Sequence, residues 1–156
     1  MTTLELPDPS DPNRQVRAVF SALAATYDDL RFLQSCAGRL IDLAALPVGA
    51  RILDVATGTG VVALSAAQVV GPTGRVVGVD VSVDMLGRAR HKLALTDLTH
   101  VEFREGDAQH LDLPDRTFDF VLCASSLFFV PDMLGALREW RRVLAPGGRV
   151  GVSSFG

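Results

Sequence analysis

The sequence predicts an α/β domain, a doubly wound parallel sheet with helices on both faces. Three observations predict it. From Arg51 to Ser153 short β-rich runs alternate with helical runs, as a parallel sheet with helical crossovers requires. Two of those runs, 52–55 and 76–79, are apolar on both faces, which suits strands covered by helices on both sides. Turn-forming clusters punctuate the alternation, notably Gly71-Pro72-Thr73-Gly74 and Pro146-Gly147-Gly148.

Taken in order, residues 1–13 carry Pro7, Pro9 and Pro12 among acidic neighbours and are expected to form a flexible lead with neither a signal peptide nor a membrane anchor. Residues 14–46 should form N-terminal helices. Val16, Phe20, Leu23, Tyr27 and Leu30 recur at helical spacing, Leu33, Cys36, Leu40 and Leu43 continue it, and a break is expected near Asp28 and Asp29. Residues 47–156 form the sheet domain. Its expected elements are strand Arg51–Val55, helix Val61–Val70, strand 75–79, helix 82–95, strands Val101–Glu105 and Phe118–Ala124, helix 132–144 and strand 149–153. Ser82 and Asp132 are placed to cap the helices they begin. In the last helix Met133, Leu137, Trp140 and Leu144 form one stripe, read as packing on the sheet.

Composition narrows the functions. With 156 residues, 48% of them hydrophobic and 21% charged, the chain supports one folded core and not a disordered segment. Fifteen Lys and Arg against eighteen Asp and Glu leave a net charge of −3, so the positive field needed for nucleic acid is missing. A cytoplasmic location without a membrane span is expected. Cys36 and Cys123 are too few and too distant for a disulfide framework or a metal motif, and both are read as buried thiols. His91, His100 and His110 lack ligand spacing, so they are read as surface residues and no metal site is expected.

The chemistry concentrates where the first strand turns into its helix, in Asp54-Val55-Ala56-Thr57-Gly58-Thr59-Gly60. Gly58 and Gly60 let the backbone turn tightly beside a ligand, and the helix that follows presents free N–H groups. Gly58, Gly60 and Ala63 also fit a dinucleotide fingerprint, with Asp80 about 20 residues on. Asp54 separates the two classes, because a carboxylate at the loop's mouth repels a pyrophosphate and attracts a cationic amino group. Asp80, at the end of the second strand, has two acceptor oxygens for the hydroxyls of a ribose; its alternative role is to cap the next helix. In Gly106-Asp107-Ala108 a third acid closes the third strand, where it can accept the amine of an adenine. Acids at the carboxyl ends of neighbouring parallel strands converge on the crevice where open sheets bind ligands.

These residues carry a resemblance. The run Arg51-Ile52-Leu53-Asp54-Val55-Ala56-Thr57-Gly58-Thr59-Gly60, the acid of Val79-Asp80, Gly106-Asp107-Ala108, Phe118-Asp119-Phe120-Val121 and Leu144-Ala145-Pro146-Gly147-Gly148 resemble the successive motifs of class I S-adenosylmethionine-dependent methyltransferases. The chain is most similar to the small-molecule group of ubiquinone and menaquinone biosynthesis, whose N-terminal helix carries a comparable Phe20…Tyr27-Asp28 pattern. The similarity runs from about Val16 to Gly156.

The resemblance implies a Rossmann-like fold that binds S-adenosylmethionine and methylates a small, apolar or aromatic acceptor. Asp54 and the loop Ala56, Thr57, Gly58, Thr59 and Gly60 would hold the methionine part, and Asp80 with Val81 the ribose. Met85 would border the adenine, Gly106, Asp107 and Ala108 would bind it, and Tyr27 would close over the cofactor. Ala124 and Ser125 complete the implied cofactor set. Ser125, Ser126, Phe128 and Phe129 would face the transferred methyl; the other reading of the phenylalanines is the buried start of a loop. No residue stands out as a general base, and an in-line displacement on an activated methyl can run on positioning.

Two departures stand out. Ala56 replaces the first glycine of the family's loop, and only about five strands can be drawn where the family has seven. The sheet is therefore expected to lack the C-terminal strands, and the open edge at 149–153 to be covered by a second copy, as a symmetric dimer or by strand exchange, ahead of the N-terminal helices. The alternatives to a methyltransferase are a non-catalytic cofactor-binding or truncated module and, behind it, an NAD-dependent oxidoreductase.

Overall fold

The computed structural model describes residues 10–154, so residues 1–9 of the expected lead lie outside it. The five strands are β1 (Arg51–Val55), β2 (Arg75–Asp80), β3 (Val101–Glu105), β4 (Phe118–Ala124) and β5 (Leu144–Ser153). All pairings are parallel, in the order β3-β2-β1-β4-β5. Because the chain moves outward from β1 to β3 and then returns to β4 on the other side, the crossovers diverge between β1 and β4, and their carboxyl ends frame a crevice.

Alternation along the strands builds two cores. Ile52, Val76, Phe103 and Leu122 face α2 (Arg31–Ala44), α3 (Val61–Val70) and α4 (Val83–Ala94), while Leu53, Val77, Val79 and Val121 face α5 (Met133–Val143) and the 108–113 segment. α3 has apolar residues nearly all round, and its buried Ala63, Ala66 and Ala67 let it lie close on the sheet. Ser82 caps α4 by accepting from Met85 N at 3.3 Å, and Asp132 caps α5 by accepting from Gly135 N at 2.9 Å. The N-terminal break is present: α1 (Arg14–Leu23) is followed by a 3-10 turn at Tyr27–Asp29 before α2 begins.

Some expectations are corrected. α5 buries Ala136, Trp140 and Val143, whereas Met133 and Leu137 are 50% and 37% exposed, and Leu144 has left the helix to start β5. Trp140 sets this orientation, since it is fully buried with its Nε1 donating to the Ala108 carbonyl at 3.0 Å. β5 begins at Leu144 and not at residue 149. Phe118 pairs with Leu144 and Phe120 with Arg149, so the expected turn at Pro146-Gly147-Gly148 is a bulge inside an edge strand. Cys123 is buried, but Cys36 is only half-buried. His91 and His110 are exposed, while His100 is half-buried with Nε2 2.9 Å from the Ala67 carbonyl oxygen. Among the described residues no helix is long and apolar enough to cross a membrane.

Candidate cofactor and acceptor cleft

The loop from β1 to α3 is pinned by the strand beside it. Asp80, the last residue of β2, accepts from Gly58 N at 2.8 Å through Oδ2 and from Ser82 N at 2.9 Å through Oδ1. One carboxylate therefore holds the loop and the start of α4 together. Beneath the loop, Thr57 Oγ1 donates to Asp54 Oδ2 at 2.6 Å. Gly78 makes room for this pair. A Cβ there would stand 2.7 Å from Phe103 Cδ1 and 2.8 Å from Thr57 Oγ1.

Burial governs the acids. Asp54 is 1% exposed, and burial pushes its carboxyl up to about 7, with the Thr57 and Ala63 hydrogen bonds opposing and the Asp80 charge adding to the rise. Burial also raises Asp80, against the backbone N–H groups of Ser82, Gly58 and Val81 and the charge of Arg17. For Asp107 burial again pushes upward, but hydrogen bonds from Gln109, Asn13 and His110 outweigh it and hold the carboxyl below its ordinary value. Tyr27 is raised first by burial and then by the charges of Asp80 and Asp28.

Ala56 adopts φ +53° and Gly58 φ +55°, both in the left-handed region. An alanine there carries a strain of about 1–2 kcal/mol that glycine avoids, partly offset by glycine's freedom in the unfolded chain. Ala56→Gly is accordingly expected to raise the unfolding free energy by up to about 1 kcal/mol, whereas Gly58→Val brings a branched side chain into the same strained region and lowers it. Denaturant unfolding of the two variants checks this; equal shifts in the same direction would contradict the loop geometry.

A cleft opens at the carboxyl edge of the sheet. Of the expected site residues, Tyr27, Ala56, Gly58, Asp80, Val81, Met85, Gly106, Asp107 and Ala108 line it. Asp54, Thr57, Thr59, Ala124 and Ser125 line a neighbouring pocket, with Tyr27, Ala56, Gly58 and Ser126 shared between the two. Gly60 lines neither; it packs under Phe103, whose Cζ would lie 2.7 Å from an added Cβ. Ser126, Phe129 and Val130 border the larger cleft, while Phe128 is 46% exposed. Phe20 meets the edge of Phe129 with ring centroids 5.1 Å apart, so two elements close an apolar wall.

Sequence reasoning missed how the N-terminal segment closes the cleft. Asn13, Val16 and Phe20 line it, although Asn13 falls in the part read as lead. The segment is tied down by polar contacts: Asn13 Nδ2 donates to Asp107 at 2.8 Å, Arg17 Nη1 to the Val81 carbonyl at 2.7 Å, and Ser21 Oγ lies 2.9 Å from Ser82 Oγ. At the 3-10 turn Thr59 Oγ1 donates to Asp28 Oδ1 at 2.6 Å, and Lys92 Nζ reaches Asp28 at 3.2 Å and Thr59 at 3.1 Å. That turn holds Tyr27 over Gly58. Among the described residues no group of three or more His, Cys, Asp or Glu could hold a metal ion. The arrangement suits a ligand with an ammonium group, paired hydroxyls and an aromatic amine, set against apolar walls.

The chain belongs to the methyltransferase domain family, whose model matches residues 52–148. It is 36% identical to the ubiquinone/menaquinone biosynthesis C-methyltransferase of Saccharophagus degradans, over 95% of this chain and 62% of that protein. It is 33% identical to the aklanonic acid methyltransferase of a Streptomyces species, over 93% of this chain and 67% of that one. Among solved structures, a SAM-dependent methyltransferase from Aquifex aeolicus superposes with a TM-score of 0.77 at 27% identity, covering 85% of this chain and 71% of that one. The chain thus spans 62% of the length of the first of these relatives.

Proposed function

We propose that this chain binds S-adenosylmethionine and transfers its methyl group to a small, apolar or aromatic acceptor of quinone type. The observation that carries the proposal is the set of carboxylates at the ends of β1, β2 and β3, Asp54, Asp80 and Asp107, gathered around one pair of adjoining pockets with Gly58 between them. The residues fit the cofactor. A Cβ on Gly58 would meet only Tyr27 Cε1, at 3.9 Å, so the space above it is the cleft itself, and Asp80, which lines that cleft, keeps acceptor capacity for a ribose hydroxyl. Asp54 sits in the pocket suited to the ammonium end, and Met85, 1% exposed, borders the aromatic end.

When bound, the cofactor supplies a sulfonium-activated methyl group. The protein's part is placement: Asp80 and the 56–60 loop orient the nucleoside, while Phe20, Phe129 and Val130 exclude water and offer the acceptor an apolar surface. Relatives named for ubiquinone and menaquinone biosynthesis support that acceptor class. On the same reading the protein works in the cytoplasm, and a second copy covers the outer edge of β5, where Val150 and Val152 are 43% and 40% exposed. Light scattering that finds only monomer would remove the dimer.

Titration calorimetry with S-adenosylmethionine, S-adenosylhomocysteine and NAD tests the reading. Binding of the two adenosyl compounds without NAD is expected; preference for NAD would make the chain an oxidoreductase domain. A chain that binds cofactor but turns over no acceptor in a quinone-type screen would be a non-catalytic module.

Binding should also depend on pH. A carboxyl raised from 3.8 to about 7 in the fold contributes stability that is full below 3.8 and lost as pH rises through about 7. A cationic ammonium favours the ionised form, so affinity for S-adenosylhomocysteine should climb as pH rises through about 7, with proton release on binding below it. Asp54→Asn should flatten both the melting-temperature and the affinity profiles. Profiles unchanged by the substitution would remove Asp54 from the site.

A further inference from the structure

The cover of the cleft has little core of its own. α1 buries no residue, and its ties to the start of α4 are polar, Ser21 to Ser82 and Arg17 to the Val81 carbonyl. The 3-10 turn that follows is held near the other end of the same helix. Lys92, in the last turn of α4, places Nζ 3.2 Å from Asp28 Oδ1 and 3.1 Å from Thr59 Oγ1, while Thr59 donates to that same Asp28 oxygen at 2.6 Å. Because the Thr59 hydroxyl gives its proton to Asp28, the ammonium meets a Thr59 lone pair, and the three groups close a ring of mutually supporting hydrogen bonds. The Lys92 and Asp28 side chains are 31% and 24% exposed, so salt screens this pair less than one on the open surface. Lys92 is also the chain's only lysine, beside fourteen arginines. A compact ammonium with three donors suits a junction between a carboxylate and a hydroxyl, where a guanidinium fork is shaped for a carboxylate alone.

The ring joins three elements that must stay together around a ligand. Asp28 follows Tyr27 directly, and Tyr27 lines both adjoining pockets with its Cε1 3.9 Å from where a Cβ on Gly58 would stand. Thr59 belongs to the loop beneath that ring. Fixing Asp28 against Thr59 therefore fixes the backbone that carries Tyr27 over the loop, and Lys92, which lines neither pocket, does so from outside. We propose that Lys92 is a positioning residue for cofactor retention: through Asp28 and Thr59 it latches the turn carrying Tyr27 to the 56–60 loop, and the bound cofactor leaves when that latch opens. The inference rests on the S-adenosylmethionine reading above and adds to it the residue that sets how long the cofactor stays.

Stopped-flow measurement of S-adenosylhomocysteine release tests the latch. Lys92→Met keeps the apolar stem and removes the charge, and it should release the ligand about fivefold faster than the parent. Lys92→Arg should fall between the two. Asp28→Asn reaches the same contact from the turn and should match Lys92→Met, and the double variant should release no faster than either single one. Raising the ionic strength from about 0.05 to 0.5 M should speed release from the parent and leave Lys92→Met unchanged. Hydrogen exchange on the ligand-free chain gives a readout that needs no cofactor: amides of residues 14–30 should exchange about fivefold faster in Lys92→Met, with those of β1 unaltered. Circular dichroism confirms that each variant is folded. A Lys92→Met chain that melts earlier but keeps the parent's release rate would make Lys92 an ordinary cation at a helix C-terminus and overturn the inference alone. A parent that binds no S-adenosylhomocysteine would end the cofactor reading and the inference together.

Discussion

Trp140→Ala is expected to lower the unfolding free energy by about 3–5 kcal/mol, the range for removing a large aromatic side chain from a core. Trp140 is fully buried between α5 and the sheet, among Leu53, Val77 and Val121, where nothing on a rigid sheet can move in to fill the gap. The substitution also leaves the Ala108 carbonyl without its indole donor. Ala108 lines the cleft, so the loss should loosen that end of the cleft as well as the fold. Trp140→Phe keeps much of the volume and drops only the hydrogen bond, for a loss of about 1–2 kcal/mol beyond the volume difference. Urea unfolding followed by circular dichroism measures both, since Trp140 is the chain's one tryptophan and its fluorescence disappears with it. A change under about 1 kcal/mol in Trp140→Ala would show that α5 is not seated as described.

Asp80→Ala is expected to weaken S-adenosylhomocysteine binding by about 1.5–3 kcal/mol, because charged acceptors for the ribose hydroxyls are lost. It should also lower stability, since Gly58 N and Ser82 N lose the oxygen each now bonds. Ser82→Ala separates the two effects. It removes the cap on Met85 N and the contact with Ser21, so it should cost about 1 kcal/mol of stability with little change in affinity. If Asp80→Ala behaved like Ser82→Ala, losing stability alone, Asp80 would be a structural tie between loop and helix and no part of the ligand site.

The parts of the site legible from sequence are those whose cause is local. The apolar runs at 52–55 and 76–79, the glycines at 58 and 60, and acids at strand ends each announce themselves within a few residues, and the structure collects Asp54, Asp80 and Asp107 at one edge because parallel strands put their carboxyl ends together. The crossovers between them need helices, so the alternation of patterns already implied the layers. Gly78 was also visible but carried no signal, since a glycine inside a strand gains meaning only from the Phe103 and Thr57 atoms that occupy its missing side chain's place.

What sequence pattern left open was set by partners far along the chain. Asn13 and Arg17 read as ordinary polar residues around a helix start, yet their partners Asp107 and Val81 lie 94 and 64 positions away. On α5 the arc through Met133 and Leu137 and the arc through Ala136 and Val143 both include Trp140, so periodicity alone does not choose between them; the indole's bond to Ala108 and its fit in the sheet do. The raised pKa of Asp54 likewise comes from burial under a loop held by another strand's carboxylate. Local pattern settles which elements form, because backbone geometry and side-chain periodicity act over a few residues, whereas orientation, burial and charge state depend on which surfaces meet once those elements pack.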